Sequence, residues 1–142
     1  MKRFNAAKTR VLYVDQSAQN LLTFKASLDS QFDVRLASDD ECDMDIVHRE
    51  SIDVVIADNN LPKKSGVQLL QELKSNYPEI GRILITCNKD INVLIDAIQL
   101  AGVYRFFVKP YTKSELLQII KNLKSDRKKW SRDDVLARIS ST

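Results

Sequence analysis

Asp15, Asp58, Thr86 and Lys109 each stand at the carboxyl end of a short apolar run of the chain. Asp58 closes the run from Ile52 and is followed by Asn59-Asn60-Leu61-Pro62-Lys63-Lys64-Ser65-Gly66, a loop punctuated by proline and glycine. An acid there is an exposed group on a rigid base. Two carboxylates, a hydroxyl and an ammonium gathered at one place could handle a phosphoryl group. A carboxylate can act as nucleophile or cation ligand, and the ammonium and hydroxyl can offset the charge of the phosphoryl oxygens. Alone, each side chain has an ordinary explanation: a turn-forming or capping acid, a β-forming threonine, a solvated lysine. Their convergence carries the chemical reading.

That convergence requires the runs to share one sheet edge. The apolar, β-branched or aromatic runs are Arg10–Val14, Val34–Ala37, Val54–Ala57, Arg82–Ile85 and Phe106–Val108. They are near-continuous rather than alternating, as in strands covered on both faces. The segments between them have helical spacing: Leu21, Phe24 and Leu28; Leu69, Leu70 and Leu73; Leu94, Ile98 and Ala101. Ser38 with Glu41, and Thr112 with Glu115, fit the capping box that opens a helix, and Ser65 is a weaker cap.

Such alternation predicts an α/β fold, a doubly wound five-stranded parallel sheet with helices on both faces. In the strand order 2-1-3-4-5 the first and third strands meet at the switch point, where ligands bind beyond the carboxyl ends. Those strands end in Asp15 and Asp58. The fourth and fifth end at Thr86 and Lys109 on the same side. The second ends in Ser38-Asp39-Asp40, read as a helix cap.

The chain has 142 residues, 44% apolar and 29% charged, enough for one domain with a core of its own. No apolar run approaches the roughly 20 residues that span a bilayer, and no secretory signal follows the basic start. Cys42 and Cys87 lie far apart without metal-ligand spacing, as expected of reduced thiols in a cytoplasmic protein. The net charge of +3 is concentrated at the end, with +4 from Lys121 onward and −1 before it. A nucleic-acid surface on the whole domain is therefore not indicated. The expected division is an N-terminal extension (1–8), a folded domain (9–125) and a basic tail or linker (126–142), in which Ser131 could cap a short helix and Trp130 could staple it against Val135.

The motifs Val14-Asp15-Gln16, Ala57-Asp58-Asn59-Asn60-Leu61-Pro62 with Gly66, Ile85-Thr86-Cys87, and Phe107-Val108-Lys109-Pro110 resemble the receiver (phosphoacceptor) domain of bacterial two-component response regulators. The resemblance spans about residues 9–124 and implies a flavodoxin-like receiver fold and a set of roles. Asp58 would accept a phosphoryl group from a sensor histidine kinase, a histidine phosphotransfer protein or a small phosphodonor. Asp15, Asp58 and the backbone carbonyl of Asn60 would hold Mg²⁺, a hard cation content with few protein oxygens. Lys109 and Thr86 would bind phosphoryl oxygens, and Lys109–Pro110 would be cis. Thr86 and Phe106 would form the switch. The surface from about Asp90 to Ala101, Tyr104 to Val108 and Lys113 to Lys124 would meet a downstream output domain or protein, or pair two copies. Within it, Ile91–Ile98 followed by Gly102–Phe106 resembles receivers of larger regulators, including those with cyclic-dinucleotide phosphodiesterase outputs. Asn60 and Asn88 would line the approach of the hydrolytic water, and Cys87 is read as a small buried hydrophobe.

Gln16 departs from the family, where an acid usually supports the metal. A carboxamide can bind only weakly or indirectly. After hydration is allowed for, a missing unit charge beside a divalent ion costs about 1–3 kcal/mol, or roughly 10- to 100-fold in affinity. The leading expectation is a self-modifying signalling receiver, not an enzyme acting on other substrates. The alternatives are a phosphorylation-independent pseudo-receiver serving as an interaction module, and a small-molecule phosphatase. The last is disfavoured by Asn60, where such enzymes carry a second acid.

Overall fold

The computed structural model describes residues 8–38, 42, 44–87 and 90–125. Strand and helix alternate through β1 (Arg10–Val14), α1 (Ala18–Leu28), β2 (Asp33–Ala37), α2 (Ile46–Arg49), β3 (Val54–Asp58), α3 (Gly66–Asn76), β4 (Gly81–Thr86), α4 (Ile91–Gln99), β5 (Arg105–Val108) and α5 (Lys113–Ser125). The strands form one parallel sheet in the order β2-β1-β3-β4-β5, the expected doubly wound arrangement.

Alternation along each strand divides the core into two clusters, one per face. Leu12, Val14, Val55, Ala57 and Leu84 pack with Leu70 and Leu73 of α3 and Ala97 of α4. Val11, Tyr13, Val54, Ile56, Ile83 and Ile85 pack with Phe24 and Leu28 of α1 and with Leu116, Ile120 and Leu123 of α5. The central strands β3 and β4 are buried along their whole length, whereas edge strands β2 and β5 are only partly covered. That is why their sequences read as unbroken apolar runs.

The helix starts follow local chemistry. Ser17 caps α1 by accepting a hydrogen bond from the Asn20 amide. Ser65, expected to be a weak cap, forms a full capping box with Gln68. Thr112 and Glu115 form another ahead of α5. The helix start expected at Ser38 falls on residues 39–41, outside the described residues; the described helix on that side is Ile46–Arg49, with Asp45 at its N-cap and no side-chain capping bond. Glu41 lies outside the described residues, as do Asn88, residues 1–7 and the tail from 126 with Trp130, Ser131 and Val135.

Candidate functional site

Val14 of β1 pairs with Ala57 of β3, so Asp15 and Asp58 occupy the next step on adjacent strands, at the carboxyl edge of the sheet. Both are buried, at 2% and 5% exposure, which corrects the expectation of an exposed acid at Asp58. Each carboxylate also shapes its own loop. Asp15 Oδ1 accepts from the Ser17 amide at 2.9 Å, and Asp58 Oδ1 accepts from the Asn60 amide at 2.8 Å. This is the Asx-turn device that carries a chain out of a strand. Turn formation uses only one oxygen, however, and does not require burial. A buried carboxylate is costly unless paired, and the remaining oxygens are paired: Asp58 Oδ2 accepts from Lys109 Nζ at 2.7 Å. Asp15 Oδ2 accepts from the Tyr13 hydroxyl at 2.6 Å and from Asn20 Nδ2 at 3.2 Å.

Lys109 reaches Asp58 because its backbone is tied to the neighbouring strand. Thr86 ends β4, and its carbonyl accepts from the Lys109 amide at 2.8 Å. The Lys109–Pro110 bond is cis. Thr86 itself is buried, at 2% exposure. On the other flank, Asn59 continues the sheet by donating its amide to the Ile85 carbonyl, and its side chain accepts from the Val67 amide at 3.1 Å. The start of α3 therefore packs directly against the end of β3. At Gly66 a Cβ would lie 2.6 Å from the Asp58 carbonyl oxygen, so only glycine permits this approach.

The electrostatics are mutually dependent. Burial disfavours the charge on Lys109, but the hydrogen bond and charge of Asp58, with the charge of Asp15 behind it, outweigh burial and raise its pKa. Lys109 is thus an ammonium at neutral pH. Burial, and then the bond to Asp15, push the Tyr13 phenol above its usual range, so Tyr13 remains a donor. Burial also raises Tyr111, which lies near Lys109.

Among the described residues no group of three or more His, Cys, Asp or Glu side chains could hold a metal. The donor set is two buried carboxylates. That set fits Mg²⁺, which is held by one or two carboxylates and otherwise keeps waters or substrate oxygens, and it does not fit a transition metal wanting nitrogen or sulfur.

The structure thus brings Asp15, Asp58, Thr86 and Lys109 to one edge. The Asn60 backbone joins them through its amide, while its side chain is exposed, as is Gln16. Phe106 of β5 is half-buried against the core face that holds α3 and α4. Cys87 is exposed, correcting the expectation of a buried hydrophobe: pairing with β5 ends at Thr86–Val108 and the next residue leaves the sheet. Tyr13 and Asn20 escaped the sequence reading. Tyr13 passes for a strand-forming aromatic, although it lies two residues before Asp15 and so on the same side of the strand. A cleft of about 350 Å³ lies between α1 and α5, but Asp58 does not line it.

The chain matches the family model described as "Response regulator receiver domain" over residues 11–121. It is 28% identical over 111 residues to the hydrogenase transcriptional regulatory protein HoxA of Cupriavidus necator, across 78% of this chain and 23% of that protein. The chain spans less than half the length of the curated relatives it matches first. Among solved structures, the signal receiver domain of an HD domain-containing protein from Pseudomonas fluorescens superposes with a TM-score of 0.79 at 25% identity, covering 86% of this chain and 98% of that one. A CheY-like receiver domain protein from Methanospirillum hungatei shares the fold, with a TM-score of 0.77 at 22% identity, over 88% of this chain and 100% of that one.

Proposed function

This chain belongs to the response regulator receiver domain family, and from that premise we propose that it is a phosphorylation-dependent signalling module with Asp58 as its phosphoacceptor. A carboxylate oxygen of Asp58 attacks the phosphorus of a phosphohistidine on a sensor histidine kinase or phosphotransfer protein. The P–N bond breaks, its electrons stay with the imidazole, and an acyl phosphate forms on Asp58. Lys109, already an ammonium 2.7 Å from Asp58, offsets the charge of the incoming group, and the Thr86 hydroxyl donates to one of its oxygens. A bound Mg²⁺, held by Asp15, Asp58 and the Asn60 carbonyl with Gln16 at most indirect, would supply further charge neutralisation.

Thr86 and Phe106 are the proposed switch. Drawing Thr86 toward the phosphoryl group frees room for the Phe106 ring to turn inward, and a ring without a hydroxyl does so without stranding a polar group. The surface of α4, β5 and α5 then reads out the change to an output domain or protein, or to a second copy. The exposed Ile91, Ile95 and Leu100 on and just after α4 support that assignment. The proposed folding unit is residues 9–125, with 1–8 and 126–142 flanking it. A cytoplasmic setting is part of the proposal, and no described helix is long and apolar enough to cross a membrane.

The pairing of buried Asp58 with the half-buried Lys109 ammonium is the observation that carries this reading. It is tested by intact-mass spectrometry after incubation with acetyl phosphate and Mg²⁺. The expected outcome is a gain of one phosphoryl group in the parent and none in Asp58→Asn. The second reading, a pseudo-receiver that binds partners without phosphorylation, is favoured by Gln16. A parent that gains no mass at any Mg²⁺ concentration would establish it over the first.

A further inference from the structure

A carboxylate offers about four lone-pair sites, and three on Asp15 are taken. Oδ2 holds two donors, the Tyr13 hydroxyl and Asn20 Nδ2, while Oδ1 holds the Ser17 amide. One site remains, on Oδ1. The groups that fill Oδ2 are held in place. The Tyr13 ring is 3% exposed and stacks on Phe24 of α1, with centroids 4.0 Å apart and planes 10° from parallel. The Asn20 backbone is fixed by the Ser17 cap. Strand β1 and the first turn of α1 thus grip the carboxylate from two directions.

We propose that Tyr13 and Asn20 are positioning residues that lock the Asp15 carboxylate so that Oδ1 alone faces a bound divalent cation. The inference rests on the Mg²⁺ reading of the site. It has a specific reason to matter in this chain. With Gln16 beside it, Asp15 is the single carboxylate at the end of β1, and no second acid can take over if it rotates away. Both donors neutralise part of the carboxylate's charge, but that cost is paid before the cation arrives, and what they supply is orientation. Losing partners one shell out from a metal ligand typically weakens binding about 10- to 100-fold.

The test is a Mg²⁺ titration of ¹⁵N-labelled full chain followed by amide shifts, on the parent, Tyr13→Phe, Asn20→Ala and Asp15→Asn. Metal-free unfolding midpoints are measured alongside. Tyr13→Phe keeps the ring and its stack on Phe24, so the core is preserved. Asn20 is exposed, which gives a second variant outside the core. The expected result is a Kd about 10-fold weaker in Tyr13→Phe and a smaller loss in Asn20→Ala, with metal-free melts showing that both variants remain folded at the temperature of the titration. Both variants binding Mg²⁺ within about twofold of the parent, while Asp15→Asn does not bind, would overturn the positioning role and leave the metal site standing. A parent that shows no Mg²⁺-dependent shifts would remove the metal reading and this inference with it; an Asp15→Asn variant that binds as the parent does would take Asp15 out of the metal site and overturn this inference alone.

Discussion

At position 16 a neutral carboxamide stands beside the buried Asp15, and its exposure leaves room for a charged side chain without repacking. Gln16→Asp adds a carboxylate next to the cation site. We expect it to tighten Mg²⁺ binding by about 10-fold or more, as measured by calorimetric titration; equal affinities would show that position 16 plays no part in holding the ion. The same scale shows what could be read in advance. Asp15, Asp58, Thr86 and Lys109 were legible because reactive groups at strand ends stand out against apolar runs. Tyr13 was hidden because its hydroxyl works at the site while its ring belongs to the core, and only the ring has a sequence signature. Asn20 was hidden because a side chain on the first turn of a helix points to a strand end only once the turn between them is known. Cys87 was misread because the step from a buried Thr86 to an exposed neighbour is set by the last pair of the β4–β5 ladder.

Among the elements, the loop from β3 to α3 places the phosphoacceptor candidate most tightly. The capping box of Ser65 and Gln68 fixes where α3 begins, and the bare Cα of Gly66 lets that beginning press on the backbone of Asp58 and Asn59. A methyl group there would meet three backbone atoms within 3 Å, none of which can rotate aside. Gly66→Ala should therefore cost about 1–3 kcal/mol, as overpacking does elsewhere, and lower the thermal midpoint by several degrees. A midpoint unchanged within error would mean that α3 can slide away from β3 freely. The sheet order and most helices were legible from periodicity, since long repeated patterns outvote single residues. Helix α2 was not, because the described helix, Ile46–Arg49, is too short to display a period.

Across the whole molecule, the sheet separates two core clusters, and β3 runs between them with a strand bonded on either side. All of its residues, from Val54 to Asp58, are buried. Strands β2 and β5 have a neighbour on one side only. Opening free energies follow such coverage, from near zero at fraying margins up to the global value in central strands. In native-state amide exchange, β3 should therefore be among the last segments to take up deuterium, surrendering its protons only through global unfolding, with β5 and β2 labelling sooner. Rapid labelling of β3 would contradict this. The proposed acceptor is thus bolted to one of the slowest clocks among the described segments. A chemical event there cannot be broadcast by loosening its own strand; it has to be relayed outward to margins that already open and close many times for each opening at the centre.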